Sequence, residues 1–158
     1  MRVIGVDPGL NISGYCIVDK IGNKPQLLTY GTVQTPRHSS LSNRLHYLYN
    51  AATELMKKHK PKFIAIEDTF YHKNVKSAIA LGQAKGTWIL AGANLEIPSE
   101  EYAPRKVKSS VTGNGAATKD QVQFMLTKIF DLSEPPSPLD ASDAIAVAYC
   151  SINQMVGK

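Results

Sequence analysis

Asp7, Glu67, Asp140 and Asp143 are the residues of this chain whose types and positions could do chemistry. Asp7 closes the apolar run Val3-Ile4-Gly5-Val6 and is followed by Pro8-Gly9, the pattern of a buried strand handing its last residue to an exposed end. Phe63-Ile64-Ala65-Ile66 leads in the same way into Glu67-Asp68. Asp140 and Asp143 stand three residues apart in an Ala-rich stretch, a spacing that puts both on one face of a helix. Carboxylates brought together repel one another, and a divalent cation relieves that repulsion. An all-oxygen donor set suits hard ions, Mg²⁺ or Mn²⁺. Each acid alone has a plainer reading: a solvated strand end, or, for Asp140, the N-cap of the last helix with Asp143 near its dipole. Two apolar strands that both end on an acid, with a helical acid pair besides, favour the metal site.

The elements that must position these acids follow from periodicity. Arg2 to Val6, Ser13 to Asp19 and Gln26 to Thr35 read as strands of an antiparallel meander, with turns at Pro8-Gly9 and Gly22-Asn23. Leu41, Leu45, Leu48, Ala52 and Leu55 recur at helical spacing and predict an amphipathic crossover helix leading to the strand that ends at Glu67. A second helix, Lys76 to about Leu95, carries Ala78, Gly82 and Gly86 on one face, where another helix of the same chain or of a second copy could approach closely. Glu101 to Ala103 makes a short strand ended by Pro104, and Thr118 with Gln121 forms a capping box opening a third helix. The Pro135-Pro136-Ser137-Pro138 connector sets the entry of a last helix, about Asp140 to Asn153. The predicted fold is α/β, a single domain over 1–158 with a central mixed five-stranded sheet flanked by helices, the acids meeting at one sheet edge.

Composition narrows the class of partner. Hydrophobic content of 43% with 20% charged residues is that of a globular protein, and no apolar stretch approaches the roughly 20 residues that span a bilayer. No secretory signal is read at the N-terminus, so a cytoplasmic location is expected. Cys16 and Cys150 fall in apolar segments and are expected to be buried thiols. The net charge of +5 sets 18 Lys and Arg against 13 Asp and Glu, four of which are the site acids, so the surface elsewhere is distinctly basic. An acidic pocket in a basic surface suits a polyanion held by its phosphates. His38, His46, His59 and His72 show no metal-ligand spacing.

Longer motifs carry a resemblance. Gly5-Val6-Asp7-Pro8-Gly9 with Gly14-Tyr15, Ile66-Glu67-Asp68-Thr69-Phe70, Lys73-Asn74, Leu81-Gly82-Gln83-Ala84-Lys85-Gly86, Tyr102-Ala103-Pro104-Arg105-Lys106-Val107-Lys108, Thr112-Gly113, Gly115 and Asp140-Ala141-Ser142-Asp143-Ala144 run nearly end to end. With them the chain resembles the RuvC family of bacterial Holliday-junction resolvases, in the ribonuclease H-like superfamily. The resemblance implies a homodimeric, Mg²⁺-dependent endonuclease that nicks opposed strands of four-way junction DNA during recombination and repair, and a branch-migration motor of the RuvA and RuvB type as a further partner. The family's catalytic acids fall on Asp7, Glu67, Asp140 and Asp143; some members have His where this chain has Asp143, which leaves oxygen donors only. Two ions about 4 Å apart activate the attacking water and hold the leaving 3′ oxygen in such chemistry, Asp7 bridging them by inference from related folds. The products would carry 5′-phosphate and 3′-hydroxyl ends.

The same resemblance places Lys108 and Lys119 near the scissile phosphate and along the DNA path, where sequence alone would read solvated lysines. Phe70 matches the family's stacking phenylalanine, and an aromatic in a polar loop beside a catalytic acid can stack on an unpaired base. Tyr71 and Lys73 would help position the strand, Arg105 and Lys106 are weaker phosphate contacts, and Gly113 and Gly115 shape a loop that lets backbone approach DNA.

Three rivals are weighed against this reading. A ribonuclease H-like nuclease acting on structured RNA would share the N-terminal Asp-x-Gly motif, but Lys73-Asn74 and Ala103-Pro104-Arg105 favour the junction enzyme. An actin-like ATPase needs a second phosphate loop, which is absent. A binding protein without catalysis would be better served by fewer acids in a phosphate-binding cleft.

Overall fold

The computed structural model describes residues 1–22, 24–69 and 74–155. Strands β1 (Arg2–Asp7), β2 (Ile12–Ile21) and β3 (Lys24–Gln34) form the antiparallel meander, followed by helix α1 (Leu41–His59) and strand β4 (Phe63–Glu67). Helix α2 (Val75–Asn94), strand β5 (Ser99–Tyr102) and helices α3 (Pro104–Thr112), α4 (Lys119–Ile129) and α5 (Leu139–Gln154) complete the chain. The five strands make one mixed sheet in the order β3-β2-β1-β4-β5, with β1 parallel to β4 and β4 parallel to β5.

Strand alternation splits the core in two. Ile4, Val6, Ile17, Ile64 and Ile66 face α1 and α2, where they pack on Leu48, Ala52, Met56, Ala84, Trp88 and Ala91. Val3, Cys16, Val18 and Ala65 face the other way, onto α5 with α3 and α4 behind it. β1 and β4 are thus covered on both faces, which is why they read as unbroken apolar runs. Cys16 and Cys150 are free and buried, as expected.

Glycine decides how closely α5 lies on the sheet. A side chain at Gly5 would strike the Ala144 carbonyl and the Ala148 methyl, and one at Gly14 would strike the Asp140 backbone. Gly14 is the register partner of Asp7 across β1 and β2. The missing Cβ therefore lets the first turn of α5 settle beside the end of β1.

One expectation changes and two open readings narrow. Pro104 does not merely end a strand: it is the first residue of α3, a position where its missing N–H costs nothing, and β5 lies two residues earlier than expected at its start. Asp140 is not the cap of α5; Pro138 holds that position and Asp140 sits in the first turn. On α2, among the described residues, no helix packs against the Gly82 and Gly86 face, where an added Cβ would meet nothing within 4 Å. The buried face of α2 is instead Ala84, Trp88, Ala91 and Gly92. The capping box of Thr118 and Gln121 is present at the start of α4, with both reciprocal hydrogen bonds.

Candidate metal centre and cleft

The two middle strands end together. Val6 and Ile66 are register partners in parallel β1 and β4, so Asp7 and Glu67 emerge side by side at the C-terminal ends of the sheet's centre rather than at an outer edge. α5 crosses this end and adds its acids. Carboxylate oxygens of Asp7, Glu67 and Asp143 lie within 4.8 Å of one another, all three partly buried. Asp140 stands outside that trio but lines the same cleft, a cavity of about 780 Å³ also walled by Pro8 to Ile12, Arg44, Lys108 and Lys119.

Electrostatics show the strain of this arrangement. Burial, then the charges of Glu67 and Asp143, push the Asp7 carboxyl up to about 9, with a smaller push from Asp140. Glu67 is also raised, first by burial and then by Asp143. Without a cation the acids cannot all be charged together, and a donor set of carboxylate oxygens at this spacing fits a hard divalent ion. Lys119 supplies part of the missing charge: its Nζ lies 2.9 Å from Asp143 Oδ2, and that hydrogen bond raises the lysine's own pKa.

The basic residues expected to meet DNA separate into groups. Lys108 and Lys119 line the acid cleft. Arg105 is exposed on α3 away from it, its side chain lying against Gly115. Lys106 sits over the Tyr102 ring, 5.5 Å from its centroid. Gly113 closes α3 in a left-handed conformation, its N–H bonding to the Ser109 carbonyl, so its role is that of a helix cap. Phe70, Tyr71 and Lys73 lie outside the described residues.

Arg44 was missed by the sequence reading. From α1 its Nε donates to Thr35 Oγ1 at 2.9 Å and its Nη2 to the Leu10 carbonyl and Asn11 Oδ1. Thr35 Oγ1 in turn donates to the Leu10 carbonyl at 2.6 Å. Together they clamp the turn after Asp7, one wall of the cleft. Its place beside the Leu41–Leu45 stripe hinted only that it borders a buried face.

Comparison with known proteins gives the family and the fold. The family described as crossover junction endodeoxyribonuclease RuvC matches residues 3–151. This chain belongs to the RuvC family. It is 45% identical over 158 residues to the crossover junction endodeoxyribonuclease RuvC of Fusobacterium nucleatum, covering 100% of this chain and 83% of the relative. The protein of the same name from Desulforamulus reducens is 43% identical over 150 residues, 95% of this chain and 92% of that one. The structure of Thermus thermophilus RuvC in complex with Holliday junction substrate superposes with a TM-score of 0.93 at 29% identity, covering 99% of this chain and 96% of that chain. The ribonuclease H-like architecture expected from the sequence is therefore the architecture of this RuvC relative.

Proposed function

We propose that this chain is a structure-specific endonuclease that resolves four-way DNA junctions by paired nicks in opposed strands, and that Asp7, Glu67, Asp140 and Asp143 are its metal-holding, catalytic acids. The observation that carries the reading is the meeting of three of them within 4.8 Å, in a cleft that the fourth also lines and that two lysines border. Mg²⁺ is the natural ion for such oxygen donors, two per site, with Mn²⁺ substituting. When bound, it supplies a water activated at neutral pH and a counter-charge for the leaving 3′ oxygen.

The chain's own residues do the rest. Lys108 and Lys119 on the cleft wall draw the scissile phosphate toward the acids. Phe70 is assigned to stacking on an unpaired base at the junction centre, with Tyr71, Lys73 and Arg105 along the strand.

Two nicks placed symmetrically need two sites, and a homodimer provides them. The outer face of α2 supports it: Val75, Ile79 and Leu90 are 76%, 56% and 55% exposed, and with Gly82 and Gly86 between them they form an apolar, close-approach stripe. A branch-migration complex of the RuvA and RuvB type is the proposed partner on the junction, and the cytoplasm is the compartment where such DNA is met. Among the described residues no helix is long and apolar enough to cross a membrane.

Incubation with labelled four-way DNA and with structured RNA in Mg²⁺ separates the readings. Nicked DNA that a ligase reseals, with RNA left intact, supports the junction enzyme. Cleavage of the RNA in preference overturns it.

A further inference from the structure

Trp88, the chain's only tryptophan, is fully buried on the inner face of α2. Its Nε1 donates to Ser13 Oγ at 3.1 Å. That hydroxyl donates to the Gly9 carbonyl at 2.8 Å and accepts from the Gly9 N–H at 3.0 Å. A serine hydroxyl has one donor and two acceptor sites, so every one is used, and all are spent on fixing the turn that follows Asp7 to α2. One helical turn earlier, Lys85 reaches the other catalytic strand. Its Nζ donates to Asp68 Oδ1 at 2.9 Å and to Glu101 Oε2 at 2.6 Å. Asp68 directly follows Glu67, and its N–H is held by the Tyr102 carbonyl at 2.9 Å.

Lys85 and Trp88 stand three residues apart, so a single helix face grips the segments after both strand acids. Metal ligands must keep their geometry to about 0.5 Å, and the residues behind them set it. We propose that Lys85 and Trp88 are positioning residues: α2 is a strut that fixes the spacing between the Asp7 and Glu67 carboxylates by holding the Gly9 turn and Asp68. The proposal rests on reading those acids as metal ligands. The opposite face of the same helix is the apolar stripe assigned above to the second copy, so the strut runs from that seam to the metal site.

The ion pairs of Lys85 involve half-exposed carboxylates and contribute little to stability. This makes Lys85 the clean probe and Trp88 the stronger one. Trp88→Phe keeps an aromatic ring in the core but removes the N–H donor together with the second ring of the indole; Lys85→Met removes the charge; Lys85→Arg restores it. The full-length proteins are compared for Mn²⁺ affinity without DNA, for kcat and KM on a four-way junction, and for Tm in EDTA. Trp88→Phe and Lys85→Met should each weaken Mn²⁺ binding about tenfold and lower kcat by a similar factor. KM for the junction should hold, and Lys85→Arg should recover both losses.

Wild-type Mn²⁺ affinity and kcat in both variants, with only Tm lowered, would overturn the strut and leave a packing role. Should Trp88→Phe fail to fold, the Lys85 pair decides alone: Lys85→Met indistinguishable from wild type overturns the proposal. Wild-type protein that binds no Mn²⁺ would instead sink the metal reading, and the strut with it.

Discussion

Lys119 Nζ and Asp143 Oδ2 are 2.9 Å apart, so one acid of the cleft is held by a cation of the chain itself. The same ammonium faces Asp7 and Glu67, whose charges also raise its pKa. A divalent ion binding to Asp143 must compete with it.

We therefore expect Lys119→Met to bind Mn²⁺ more tightly, by about tenfold for an exposed unit charge a few ångströms away. Junction nicking should fall, because the cleft loses a phosphate partner. Isothermal titration of the metal and a nicking time course would check both halves; weaker Mn²⁺ binding in the variant would count against the competition.

The raised Asp7 carboxyl makes stability pH-dependent in a definite direction. In the unfolded chain this acid releases its proton at about 4, whereas the folded protein keeps it up to about 9. Across that window the metal-free fold keeps a proton on Asp7 that the unfolded chain has released, so this acid's contribution to stability falls as pH rises. Tm measured in EDTA should drop through the window, and saturating Mg²⁺ should remove the drop by binding the deprotonated acids. A Tm that climbs with pH in EDTA would show that the acids are not crowded in solution as they are here.

Arg44 joins Thr35, Leu10 and Asn11 into one clamp. Arg44→Ala should cost about 2 kcal/mol, the size of a charge-assisted hydrogen-bond group lost from a half-buried site. Nicking should fall further than junction binding, since the clamped turn follows Asp7. Chemical denaturation and a filter-binding comparison would measure the two effects, and unchanged nicking would limit Arg44 to stability.

The open α2 stripe gives a test of assembly. Gly82→Glu places a charge where an added Cβ would meet nothing within 4 Å among the described residues, so the monomer should fold normally. Sedimentation should show the wild type as a dimer and the variant shifted to monomer. A variant that sediments as an unchanged dimer would move the interface elsewhere.

Much of this architecture could be read from local pattern. The strands carrying Asp7 and Glu67 are apolar runs because both faces are covered, and each acid was visible as the residue that breaks its run. The capping box at Thr118 announced α4 through its own four residues. α3 was hidden because Pro104 signals both a stop and a helix start, and only Val107 and Val111 mark its buried face. The supports of the site were hidden for another reason. Trp88 reaches Ser13 across 75 positions, and Gly14 matters only because the Asp140 backbone lies on it. Such roles belong to contacts between distant segments, which periodicity does not record.

The most direct measurement is cleavage of a labelled, mobile four-way junction in Mg²⁺ by the wild type and by Asp7→Asn, with linear duplex of the same sequence alongside. We expect paired nicks in opposed strands, religatable, confined to the junction and lost in Asp7→Asn although the variant still binds. Equal cutting of the linear duplex, or undiminished nicking by Asp7→Asn, would contradict the assignment of this acid cleft as a junction-resolving metal site.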